Sequence, residues 1–229
     1  MATHYDIVHL TSVGSTQDEA ARISSTSDRP TLVVAGRQVA GRGRSGRVWV
    51  QPDRALFASL SFRSAWPSSA LPRIPLCAGT AMRSSIDEEC GVVADLKWPN
   101  DLLLPSGKVG GILVEASDDR VTVGCGLNLW WAEPVPGAAS LFDRDVDDRL
   151  TEAIAKRWAD ELLSVLDRGP DRWPRADYLA ACVTIGRDVA WDGGEGKAID
   201  VDGDGGLVVR TRDGVTTVVA GDVHLLGHN

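Results

Sequence analysis

Lysine is scarce in this chain: of 24 basic residues only Lys97, Lys108, Lys156 and Lys197 carry an amine. Arginine has taken over the general surface role. A compact ammonium and a planar guanidinium fork are not interchangeable, so the remaining lysines mark positions to inspect. Cysteine is sparse too. Cys77, Cys90, Cys125 and Cys182 are widely spaced, with no C-x-x-C pair and no histidine placed to complete a zinc site. This reads as buried thiols in a reducing, cytoplasmic compartment, and no metal ligand is assigned. The histidines (His4, His9, His224, His228) sit at the two ends of the chain, which leaves no convincing Ser-His-Asp arrangement. No apolar run approaches the ~20 residues of a membrane span, and the first residues lack the basic n-region of a signal peptide. Net positive charge is absent as well. At -8 and pI about 5.0 the chain lacks the broad basic surface of a general nucleic-acid binder.

Against that background one stretch stands out: Gly41-Arg42-Gly43-Arg44-Ser45-Gly46-Arg47-Val48-Trp49. Residues 31 to 50 hold four arginines and no acid. Glycine lets a ligand approach the main chain closely, and arginine offers a fork of donors suited to phosphate and carboxylate oxygens. A basic, flexible loop in an acidic protein reads as an anion clamp, or else as a solvated turn. Gly41-x-Gly43-x-x-Gly46 is formally the dinucleotide fingerprint, but that must open a helix and be followed by an acid about 20 residues on. Here it opens Val48-Trp49-Val50, and residues 55 to 86 hold no acid. A kinase glycine-rich loop needs a lysine on the following strand, and the first lysine is Lys97. A P-loop needs Gly-Lys-Ser/Thr, which is missing.

At 229 residues the chain fits one large domain or one ordinary domain plus a small one. Buried-strand or alternating patterns cover Ile7 to Leu10, Thr31 to Gly36, Leu56 to Phe62 and Val92 to Trp98. Val109 to Glu115 and Arg120 to Leu127 form a strand pair turning at Ser117-Asp118-Asp119. Ser15-Thr16 precedes Asp18 and Glu19, a helix start whose hydroxyls are expected to cap it. Residues 64 to 75 read as a connector, Leu76 to Ile86 as a helix of about three turns, residues 150 to 167 as an amphipathic helix, and Arg175 to Ala181 as a short one. From Gly186 onward, short strands (Asp188 to Trp191, Lys197 to Val201, Gly206 to Thr211, Val215 to Ala220) alternate with Gly/Asp turns and predict a separate small β-barrel. Asp200 to Gly205 imitates the start of a calcium loop, but Thr211 stands where the closing Glu should be, so a hairpin turn is expected.

Two of the four lysines fall in unusual segments. Lys97-Trp98-Pro99-Asn100-Asp101 ends a strand at a proline that stops ladder pairing. Lys108-Val109-Gly110-Gly111-Ile112-Leu113-Val114-Glu115 sets the other before two glycines and a strand, and Gly124-Cys125-Gly126-Leu127-Asn128 ends a third. Polar groups gathered at strand ends point to a ligand site. With Gly36 to Trp49, these segments resemble, in order and spacing, those of biotin protein ligases. Ser15-Thr16 falls where that family has Ser-Thr-Asn, and Gln17 stands in the Asn place. The resemblance covers about residues 5 to 130.

The resemblance implies an α+β fold, a mixed β-sheet flanked by helices of the class II synthetase-like biotin/lipoate ligase type, over residues 1–183. It also implies a small C-terminal SH3-like β-barrel over residues 184–229. It implies joining of biotin to AMP from ATP, with Mg²⁺, and transfer to a lysine of a biotin carboxyl carrier protein domain. Lys108, Arg44 and Asp101 would be catalytic. Ser15, Thr16, Gln38, Gly41, Arg42, Arg44, Lys108, Gly111, Ile112, Leu113, Gly124 and Gly126 would bind biotin. Arg42, Arg44, Arg47, Trp49, Lys97, Asn100, Asp101 and Asn128 would bind ATP, with the indole against adenine. The family's DNA-binding segment has no counterpart in the 14 residues before Ser15, so neither nucleic acid nor membrane is expected as a partner. A monomer and a homodimer both stay open. The alternatives are a lipoate-type ligase and a non-enzymatic module that holds nucleotide or RNA.

Overall fold

A seven-stranded mixed sheet organises the computed structural model, which describes residues 5–219 and 221–226. Its strands are β1 (Asp6–Leu10), β2 (Thr31–Ala35), β3 (Arg54–Arg63), β4 (Asp95–Lys97), β5 (Asp101–Leu104), β6 (Gly107–Ser117) and β7 (Arg120–Trp130), in the order β1-β2-β3-β7-β6-β5-β4. Only β1 and β2 run parallel, and such a pair needs a crossover. Helix α1 (Thr16–Ser24) supplies it. The central ladder is β3 on β7, with nearly every residue of both strands in register. Alternation along β3 separates two faces. Leu56, Ala58, Leu60 and Phe62 enter the apolar core with α2 (Ile74–Cys90) and α3 (Asp148–Asp167). Ser59 and Ser61 face the other way and meet α1: Ser59 Oγ donates to Thr16 Oγ1 at 2.8 Å, and the Ser61 and Ser24 hydroxyls lie 2.7 Å apart.

Local chemistry sets the boundaries. Helix α2 is longer than the expected three turns. Pro75 starts it, as proline can in a first turn, Gly91 ends it in the left-handed region (φ 65°), and burial on most sides blurs its apolar period. Asp147 caps α3 by accepting from the Leu150 N–H at 3.1 Å. The connector contains a 3-10 segment, Ser68–Arg73. The strand expected over Val92 to Trp98 shrinks to the short edge strand β4, because Asp101 to Leu104 turns straight back to pair with it. Val48 to Val50 forms no strand; Val48 makes one bridge, to Arg42.

After α4 (Arg175–Ala181), strands β8 (Asp188–Trp191), β9 (Gly194–Val201), β10 (Leu207–Thr211), β11 (Gly214–Val218) and β12 (His224–Leu225) form an antiparallel sheet of the SH3-like kind, order β11-β10-β9-β8-β12. Ala220, the expected end of the fourth run, lies outside the described residues, as do His4 and His228. The small sheet does not stand apart: Val189, Ala198, Val201, Leu207 and Val209 join one continuous core with the large sheet. The calcium-like segment is a turn, closed by Asp202 Oδ1 accepting from the Asp204 and Gly206 N–H groups. It is pinned into the larger unit. Trp98 Nε1 donates to Gly205 O at 2.9 Å, Trp173 Nε1 donates to Gly203 O at 3.0 Å, and Arg73 pairs with Asp204. Among the described residues no helix is long and apolar enough to cross a membrane.

Candidate active site

Two rungs of the sheet make a floor. Ser59 pairs with Gly124, which pairs with Leu113; Phe57 pairs with Gly126, which pairs with Gly111. Three of those six positions lack side chains, so the sheet is hollowed there. The resulting cavity is about 230 Å³. Side chains approach the bare glycines closely. A Cβ on Gly126 would meet the Trp49 ring at 3.0 Å, and one on Gly111 would meet it at 3.4 Å. The indole lies on the two bare strands, with the Lys108 ammonium 5.8 Å from its centroid, within the range of a cation–π contact.

One end of the cavity is a chain of hydroxyls and amides at the start of α1. Gln38 Oε1 accepts from both the Thr16 N–H (2.7 Å) and Thr16 Oγ1 (3.0 Å). Thus Gln38, not Ser15, satisfies the first turn: Ser15 holds the cap position, makes no capping bond with its side chain, and lines the cavity instead. Gln17 is buried. Its Nε2 donates to Thr122 O at 2.9 Å and its Oε1 accepts from Ser59 Oγ at 3.2 Å, so the longer amide is anchored across the sheet.

The other end is charged. Lys97 and Asp101 face each other across the β4–β5 hairpin. Asp101 accepts from Lys108 Nζ at 2.5 Å and from Lys97 Nζ at 3.5 Å. Asn100 is fixed twice by β6: Ile112 N–H donates to its carbonyl, and its Nδ2 donates to Ile112 O, both at 2.8 Å. Across the gap stand the loop arginines. Arg44 Nη1 donates to Asn100 Oδ1 and its Nη2 to Gly221 O, each at 3.0 Å. Arg47 pairs with Asp222 at 2.6 Å. Arg42 binds Asp18 through both guanidinium nitrogens, which holds the Asp18 carboxyl below its ordinary range. Among the described residues, five cations and two carboxylates line the cavity, in a protein whose net charge is -8. That reversal concentrates positive potential where anions of more than one kind can be held together. Cys125 also borders the cavity, but burial pushes its thiol well above the usual range, so it offers no thiolate.

Most residues singled out in the sequence converge here. Ser15, Thr16, Gln38, Arg42, Arg44, Arg47, Trp49, Lys97, Asn100, Asp101, Lys108, Gly111, Ile112, Leu113, Gly124 and Gly126 all line the one cavity. Two do not. Gly41 stands at the foot of the loop, where its carbonyl accepts from the Trp49 N–H at 3.1 Å. Asn128 is buried behind Lys108: its Nδ2 donates to Ala139 O at 2.8 Å, and Ala139 N–H in turn donates to Lys108 O at 2.8 Å. The Asn128 amide therefore braces the backbone that carries the lysine. Sequence reasoning missed Phe57 and Ser59, whose signal was the polar alternation of β3. It also missed Asp222, Val223 and His224, which roof the cavity from the small sheet. Among the described residues no three His, Cys, Asp or Glu side chains gather into a metal site.

The chain is similar to known proteins. Residues 10–128 match the model of the Biotin/lipoate A/B protein ligase family. The chain is 37% identical to the biotin–[acetyl-CoA-carboxylase] ligase of Mycobacterium tuberculosis, covering 95% of this chain and 87% of that one. It is 29% identical to the bifunctional ligase/repressor BirA of Bacillus subtilis, covering 93% and 72%. Among solved structures it is similar to the biotin protein ligase of Aquifex aeolicus in complex with biotin and ATP, with a TM-score of 0.80 and 26% identity over 97% of this chain and 99% of that one.

Proposed function

Because the chain belongs to the biotin/lipoate A/B protein ligase family, we propose that it is a biotin–[biotin carboxyl carrier protein] ligase, acting in the cytoplasm on a carrier domain of a biotin-dependent carboxylase. It activates biotin with ATP to biotinyl-5'-AMP, releasing pyrophosphate, and then passes biotin to a lysine. One observation carries this reading: a glycine-floored cavity with hydroxyls and amides at one end and five cations at the other.

The chemistry follows from charge. A carboxylate must approach an α-phosphate, and both are anions. The obstacle is repulsion and orientation, which positioned cations remove without a covalent nucleophile. In this reading Ser15, Thr16 and Gln38 hold the polar ring of biotin, and Gly111 to Leu113 with Gly124 and Gly126 line its bed. Arg42, Arg44 and Lys108 surround the carboxylate and the α-phosphate, so that a carboxylate oxygen attacks phosphorus as pyrophosphate leaves. Arg47 lies on the phosphate side, Trp49 offers its face to adenine, and Lys97, Asn100 and Asp101 hold the nucleotide. Asp101 keeps both lysines in place through its two oxygens. Asp101, with the substrate phosphates, would hold an accompanying Mg²⁺, which needs few protein carboxylates and would supply further neutralisation of charge. Closure of the loop from Gly41 to Trp49 shields the labile acyl-adenylate from water.

Pyrophosphate release from ATP, measured with and without biotin, tests the proposal. Release should depend on biotin. Release that responds to lipoate instead assigns the other branch of the family, and ATP binding without turnover returns the protein to a nucleotide-holding module.

A further inference from the structure

Gln17, the second residue of α1, lines the cavity beside Ser15 and Thr16 and is only 4% exposed. Its amide has one orientation. Nε2 donates to Thr122 O at 2.9 Å and reaches Leu113 O at 3.5 Å. Both are carbonyls, so the nitrogen must stand there and Oε1 must face the other way. That oxygen lies over the floor of the cavity, where a Cβ on Gly124 would collide with it. A count of protons leaves Oε1 short of a donor. Ser59 Oγ stands 3.2 Å from it, but the same hydroxyl donates to Thr16 Oγ1 at the shorter 2.8 Å, and a serine has one proton to give. Thr16 has none to spare, because its own hydroxyl donates to Gln38 Oε1 at 3.0 Å. The hydroxyls farther under α1 are engaged with each other: Thr122 Oγ1 donates to Ser61 Oγ at 3.0 Å, and the Ser61 and Ser24 oxygens lie 2.7 Å apart. A buried carbonyl oxygen without a full donor is costly until something supplies one, and the open side of this one is the cavity.

We infer that Gln17 Oε1 accepts a ureido N–H of biotin and that the length of this side chain walls off the ring end of the cavity, so that Gln17 selects a cyclic urea unsubstituted at that nitrogen. The inference rests on the ligase reading above, in which Ser15, Thr16 and Gln38 hold the polar ring. A cyclic urea presents both polarities: its carbonyl accepts and its two N–H groups donate. The two glutamines match that division. Gln38 Oε1 is occupied by the Thr16 N–H and hydroxyl, so Gln38 offers its Nε2, a donor. Gln17 spends its Nε2 on backbone carbonyls and offers an acceptor. The dithiolane of lipoate has no N–H and would leave Gln17 unrelieved. Size acts in the same direction. Behind the Gln17 amide lie Ser59, Ser61, Ser24 and Thr122, all buried and bonded into one seam between α1 and the sheet. The amide is therefore backed by packed side chains, and a methyl on the facing nitrogen would have no space to enter.

Two variants separate length from polarity. Gln17→Asn keeps the amide and withdraws it by one C–C bond, about 1.5 Å. Gln17→Met keeps the length and removes the acceptor. Pyrophosphate release is measured with biotin and with its two mono-N-methyl ureido derivatives, and KM for ATP is measured alongside. The unsubstituted protein should favour biotin over at least one derivative by about 10–200-fold in kcat/KM, the scale of one extra carbon in a closed pocket. Gln17→Asn should narrow that ratio about tenfold or more. Gln17→Met should keep the ratio wide and raise KM for biotin about three- to tenfold, as loss of one neutral hydrogen bond does. KM for ATP should hold in both. Equal use of biotin and both derivatives by the unsubstituted protein overturns the inference, as does a ratio that Gln17→Asn leaves unchanged or a KM for biotin that Gln17→Met leaves unchanged. A parallel rise in both KM values with a lowered thermal transition also overturns it, since Gln17 is then a structural strut alone. Absence of biotin-dependent pyrophosphate release from the unsubstituted protein is a different failure, that of the ligase reading itself.

Discussion

The hairpin that carries Lys97, Asp101 and Lys108 and the loop that carries Arg42, Arg44 and Arg47 face each other across one cavity, yet they are held by different kinds of bond. The hairpin is built into ladders. Asp101 pairs with Gly111 in register, Asn100 is tied to Ile112 in both directions, and the Lys108 backbone is braced from behind through Ala139 and Asn128. The loop is closed on itself by a few main-chain bonds, such as Gly43 N–H to Arg47 O at 2.7 Å. Its side chains reach out to Asp18, Gly221 and Asp222. Arg47 and Asp222 are partly solvated, and such pairs contribute only about 0–1 kcal/mol each. Half-buried charges on ladder-fixed backbone stay in place whether or not a ligand is bound. Exposed, individually weak tethers can be exchanged for a ligand's anionic oxygens at little cost.

The sharpest test removes one charge from each side. Lys108→Ala should abolish adenylate formation, a fall of at least about 10²–10³-fold, the scale of losing one preorganised charge contact, with the thermal transition unchanged. Arg44→Ala should abolish it to a similar extent; full pyrophosphate release in either variant removes that residue from the chemistry. Next comes the contact between the two regions. Gly126→Ala sets a methyl against the Trp49 ring. It should raise KM for ATP while costing about 1–3 kcal/mol of stability, as overpacking does, read from denaturant titration. A smaller effect is expected of Asp222→Asn, which removes one exposed pair, about 1 kcal/mol or less. Trypsin should cut after Arg44 or Arg47 a few times faster, and biotin with ATP should restore protection. A loop equally resistant with and without ligand would place it among the rigid elements. Smallest is the response of the thiols. Burial pushes Cys77 up to about 12 and Cys90 to about 11, so neither should be labelled appreciably by a maleimide at pH 7.5 without denaturant.

Much of the site was legible because its residues are chemically odd where they stand: lysines in a lysine-poor chain, paired glycines at strand ends, arginines in a stretch without acids. The large sheet was legible from strands such as Thr31–Ala35, buried throughout. What escaped has physical reasons. Asp222 lies 175 residues from Arg47 in sequence, and nothing local in the final strands announces a roof. Asn128 shares the alternation of Gly124 and Gly126, but the returning segment around Ala139 claims its amide, a tertiary contact no pattern reveals. Ser15 has the composition of a helix cap, and a distant glutamine does that work instead. The turn at Asp202 imitates a cation loop, because the side-chain turn that closes on Gly206 uses the same residues.

The roof formed by Asp222, Val223 and His224 also makes the cavity a joint product of two sheets. The floor and both banks of cations come from residues up to Asn128 and the strap around Ala139, and the cover comes more than eighty positions later. Because Val189, Ala198, Val201 and Val223 share one core with the large sheet, the cover is set by the same packing that sets the floor. A change that loosens the small sheet should therefore be felt at the cavity.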